Sequence, residues 1–71
     1  MNSYVIHVGG TGWKVSAGSA AVAINKGVKA QARWLRDKRK RGLSIENELR
    51  RGLMVSVKYV GPGAWPVEEV D

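Results

Sequence analysis

Residues 3–8, Ser3-Tyr4-Val5-Ile6-His7-Val8, are rich in β-branched and aromatic side chains. They predict a strand with Tyr4, Ile6 and Val8 on one face and Val5 and His7 on the other. Gly9-Gly10-Thr11-Gly12 breaks the pattern and predicts a hairpin connection, because glycine tolerates the positive φ angles of tight turns. Trp13-Lys14-Val15-Ser16-Ala17 alternates again and predicts the returning strand.

Gly18 and Ser19 interrupt next, and Ser19 suits a helix N-cap. Over residues 20–41 the period lengthens. At about 100° per residue, Ile24, Val28 and Leu35 fall on one line with Gln31 beside them, which predicts a helix burying that line. Gly27 stands inside it at a cost of about 1 kcal/mol relative to alanine, which leaves a break into two shorter helices open. Arg41-Gly42-Leu43 recurs as Arg51-Gly52-Leu53. Each glycine predicts a helix C-cap, followed by a leucine turned back into the core. The short segment between them starts at Ser44, another N-cap, with Glu46 in its first turn and Arg50 and Arg51 in its last, as the helix dipole favours. Residues 53–60 form the most apolar strand, with Leu53, Val55, Val57 and Tyr59 on one face and Gly61-Pro62-Gly63 ending it.

The predicted order is strand, strand, helix, short helix, strand, an α+β (ββααβ) domain of two layers with the first strand in the middle. The alternative is a winged helix-turn-helix, with the basic segment and residues 44–51 as the two helices and residues 54–67 as the wing. Residues 1–71 make one domain. Within it, 61–71 form a tail that contains glycine and proline, carries Glu68, Glu69 and Asp71, and offers Trp65 as an anchor.

A chain of 71 residues buries only about 60% of its unfolded surface. Small domains compensate with disulfides, a metal or a partner subunit. With no cysteine, disulfides and thiolate zinc sites are excluded, which leaves packing and self-association. A homodimer joined by the edge of the final strand, or around Trp65, is expected. No apolar stretch is long enough to span a bilayer. Met1-Asn2-Ser3-Tyr4-Val5 lacks the pattern of a secretory signal, so the expected compartment is the cytoplasm.

Charge changes the picture most. The net charge is +6, yet residues 26–41 alone carry Lys26, Lys29, Arg33, Arg36, Lys38, Arg39, Lys40 and Arg41 against Asp37. That segment is +7, so the remainder is −1. Lys26, Lys29, Arg33, Arg36 and Lys40 fall within an arc of about 80° on the side of the helix away from its apolar line. Such a stripe is the footprint of a phosphate-binding surface. Lys38, Arg39 and Arg41 extend it, and Trp34 lies alongside, either as an edge-of-core residue or as a ring for base stacking. The basic helix could also lie on an anionic membrane, but the sheet needs its thin apolar line.

Other chemistry is poorly represented. The glycine loop runs into a strand rather than a helix, so it is no nucleotide cradle; at most Thr11 and Lys14 at its tip touch a phosphate. His7 is the only histidine, and no serine has a recognisable base beside it. The expectation is a non-catalytic nucleic-acid-binding domain, without cofactor or metal, reading DNA or RNA phosphates. The alternative is a small protein-binding module or inhibitor, of the compact kind common in phages and mobile elements, whose basic face docks on an acidic protein.

Overall fold

Gly9, at φ +59°, turns the chain between β1 (Asn2–Val8) and β2 (Thr11–Ala17). The loop is only Gly9 and Gly10. Two residues complete the turn, so Thr11 and Gly12 pair with Val8 and His7 rather than prolonging the connection. The structure is a computed structural model that describes residues 1–52 and 54–63. The strand-face position and inward turn expected of Leu53, and the anchoring expected of Trp65 in the acidic tail, lie outside the described residues.

Three further elements follow: α1 (Ala20–Lys40), α2 (Glu46–Arg51) and β3 (Val55–Pro62). Ser19 caps α1, its Oγ accepting from the Val22 amide at 3.3 Å. The helix closes at Gly42, φ +75°, where the amides of Gly42 and Leu43 donate to the carbonyls of Arg39 and Lys38 at 3.0 and 2.9 Å. These two bonds satisfy terminal carbonyls in the manner of a Schellman motif. Leu43 is nevertheless 51% exposed rather than turned into the core. In α2 the N-cap is Ile45, one residue later than expected. Ser44 Oγ still accepts from the Glu46 amide at 3.3 Å.

The sheet is antiparallel with order β2-β1-β3, β1 in the middle as the pattern predicts. The chain therefore forms the two-layer α+β domain and not the winged helix. β3 runs past Gly61 to Pro62, two residues beyond the expected end. Its register shifts between Ser3 and Tyr4, which leaves Val60 as the extra residue of a bulge.

Tyr4, Ile6, Val8, Val15 and Ala17 of the sheet and Ala23 of α1 form the buried core. The buried residues of α1 are Ala23, Gly27 and Gln31, so the line facing the sheet is rotated by about 80° from the predicted one at 100° per residue. Ile24 and Val28 pack on the core from its flank and are only half-buried, as is Leu35. Proximity, not side-chain volume, sets this face. A Cβ on Gly27 would lie 2.5 Å from Ile6 Cγ2 and 2.7 Å from Ile6 Cβ. The buried Gln31 is satisfied, its Oε1 accepting from Trp13 Nε1 at 2.9 Å. Gly27 is thus the contact point of an unbroken helix, and the break left open by the sequence does not form.

Gly27→Ala should therefore destabilise the domain although alanine favours helix by about 1 kcal/mol. Overpacking against a fully buried Ile6 costs about 1–3 kcal/mol, and the net loss should show in urea melts. A gain in stability would mean that α1 is free to lift from β1.

Candidate nucleic-acid interface

The pairing of Trp13 with Gln31 fixes the rotation of α1. Trp34 adds to it, meeting Trp13 edge-on at 6.3 Å between ring centroids. Trp34 is half-buried over β2, with one side of its ring taken by Lys38 Nζ, 4.6 Å from the centroid. It joins helix to sheet rather than standing clear as a stacking platform.

The eight cations read from the sequence separate into two groups. Lys26 Nζ donates to the Ser16 carbonyl at 2.7 Å, fastening the first turns of α1 to the end of β2. Lys38 Nζ pairs with Glu48 Oε1 at 2.9 Å, both side chains largely covered at 22% and 18% exposure. Arg41 Nη2 meets Asp37 Oδ2 at 3.1 Å in an exposed pair, an arrangement worth little in free energy.

Lys29, Arg33, Arg36, Arg39 and Lys40 remain. All five are exposed, and none has an acidic partner among the described residues. Because the buried line runs through Ala23, Gly27 and Gln31, these five point away from the sheet. Lys29, Arg33, Arg36 and Lys40 form a row about 16 Å long at 1.5 Å per residue, with Arg39 on its margin.

An open cleft of about 470 Å³ at the hairpin end of the sheet is lined by His7, Gly9, Gly10, Arg51, Met54, Val55 and Ser56. The Arg51 guanidinium lies so close to Gly10 that any Cβ there would displace it. Nothing in the local pattern signals this approach, since Arg51 and Gly10 are brought together only by the fold. Thr11 is buried, so the loop tip cannot offer its hydroxyl to a phosphate. His7 is exposed, opposite Ser56 in the ladder.

Lys38 also tethers α2, none of whose residues is buried. Its hydrogen bond, with help from Glu48's own backbone amide, holds the Glu48 carboxyl below the ordinary glutamate range against a smaller opposing effect of burial. A carboxylate favoured in the folded state lends stability above the ordinary glutamate pKa and loses it as pH falls through the lowered folded value. As pH falls below the ordinary glutamate range, the amide resonances of residues 46–51 should therefore move toward random-coil positions before those of the sheet. Simultaneous loss of both would show that α2 is held by something other than this pair.

Comparison with protein-family models, curated proteins and solved structures finds no match to this chain.

Proposed function

We propose that the protein is a non-catalytic nucleic-acid-binding domain of the cytoplasm, gripping the phosphate backbone with the outward side of α1. The observation that carries this reading is the row of Lys29, Arg33, Arg36 and Lys40, exposed and without an acidic partner among the described residues. Ordinary solvated surfaces intersperse both signs, and a helix face without acids forgoes the i,i+4 pairs that would stabilise it. DNA carries one phosphate per about 3.4 Å of axis on each strand, so a row of about 16 Å lies alongside some five of them. Lys26, Lys38 and Arg41 support the row indirectly, holding α1 to β2 and shaping its C-terminal end. Phosphate contacts of this kind carry no sequence code, and four of them make log K fall with log salt at a slope of about −3.6 on duplex DNA, less steeply on single strands.

Mobility shifts with duplex DNA, single-stranded DNA and RNA at two salt concentrations test this reading. Arg33→Ala with Arg36→Ala should flatten the slope by about two units. Arg33→Glu with Arg36→Glu should abolish the shift while leaving the circular dichroism unchanged, since both residues point away from the core and glutamate is a good helix former. Parental binding by the folded charge-reversed protein overturns the reading and moves an acidic protein partner ahead of nucleic acid.

A further inference from the structure

The strand with the most apolar sequence is the most exposed. Val55, Val57 and Tyr59 share the inner face with Tyr4, Ile6 and Val8, yet they are 39%, 40% and 55% exposed. The reason is the placement of α1. Trp34 and Lys26 hold one flank of the helix to β2, so Ile24, Val28 and Leu35 look over β3 from the other flank, and β3 is the strand α1 covers least. Helix flank and strand together make an apolar shelf.

Beside the shelf, among the described residues, the sheet ends in an open edge at β3, and the register states what that edge displays. The Gly9 amide donates to the Met54 carbonyl at 2.8 Å. Antiparallel ladders alternate bonded and non-bonded pairs. Ser56 and Lys58 therefore turn their backbone groups toward His7 and Val5, while Val55, Val57 and Tyr59 turn theirs outward. Pro62 fits the same alternation. The Gly63 amide donates to the Met1 carbonyl at 2.8 Å, which places Pro62 outward, where a residue without an N–H leaves no ladder bond unmade.

We propose that the occupant of this edge is a second copy of the chain, paired antiparallel through β3 about a two-fold axis at Val57. Three observations select this arrangement. A Val57-centred register sets Val55 against Tyr59 of the other copy, so the outward N–H and C=O groups of residues 55, 57 and 59 all find partners. It sets Ser56 against Lys58, whereas a Lys58-centred register would oppose two lysines, and a Ser56-centred one would run Tyr59 off the end of the described strand. The exposed apolar residues also favour it. The open backbone of β3 adjoins Met54 and Val60 at 79% and 48% exposure, and pairing sets the two shelves side by side, so apolar surface is buried on both copies. Lys29, Arg33, Arg36 and Lys40 lie on the outward side of α1, so this row is not part of the strand-to-strand contact. Joined this way, the sheets form one six-stranded sheet with both α1 helices on the same face.

The lack of cysteine in the chain makes the axis directly testable. In Val57→Cys the two introduced thiols sit across the axis, with Cα atoms about 5.5 Å apart, within disulfide reach. In Val55→Cys they are offset by four residues, about 13 Å. Mild oxidation should cross-link the first variant quickly and the second far more slowly. Sedimentation of the parent at 100 μM should give twice the 7.8 kDa chain mass, and amide exchange should be slow at every residue from 55 to 59. A monomer with slow exchange at Ser56 and Lys58 and fast exchange at Val55, Val57 and Tyr59 overturns the proposal, leaving the shelf to residues 64–71 or a foreign segment. A dimer in which both cysteine variants cross-link equally overturns the Val57 axis.

Discussion

The contact of Gly27 with Ile6 is the constraint from which the rest follows. Ile6 is fully buried at the centre of the middle strand, and only a residue without a Cβ lets the α1 backbone descend onto it. A helix so close needs no large side chains beneath it, so Ala23, Gly27 and a satisfied Gln31 make up its buried line. Once that line faces the sheet, the remaining positions have no freedom. Trp34 goes to the β2 side, Ile24, Val28 and Leu35 to the β3 side, and the cations outward. Interior packing is dense enough that a single methyl group decides such a placement.

The same constraint explains which parts of the molecule were legible in the sequence. Element order, the central place of β1, the Ser19 cap and the turn of Gly42 were all readable, because each depends on local backbone preference or on a period of two. The orientation of α1 was not. Periodicity ranks positions by hydrophobic size, and this helix is seated by the absence of size, so the large residues Ile24, Val28 and Leu35 drew the predicted face away from the true one. Leu43 misled in a related way. Its backbone does close the helix, but the inward turn of its side chain needed something to pack against, and α2 buries none of its residues.

The candidate site was legible in kind but not in membership. Charge counting found all the cations of α1, since a run of like charge is a property of the sequence alone. Which of them are occupied depends on residues distant along the chain, Ser16 for Lys26 and Glu48 for Lys38. Asp37, four residues before Arg41, is the partner nearest along the chain, and that pair is exposed on both sides. The outward set that remains is therefore a product of the fold, and it includes Arg39, which the sequence offered only as an extension of the stripe beyond its five-cation arc.

The off-centre helix joins the two open surfaces into one problem. Placing α1 toward β2 leaves β3 uncovered, and the row of Lys29, Arg33, Arg36 and Lys40 points away from the sheet, so one placement produces both surfaces. If copies pair through β3 and α1 binds phosphates, linkage couples the two events, because a polyanion long enough to touch both helices binds the pair more tightly than either copy alone. The coupling must be reciprocal: nucleic acid would favour association, and association would steepen the salt dependence of binding.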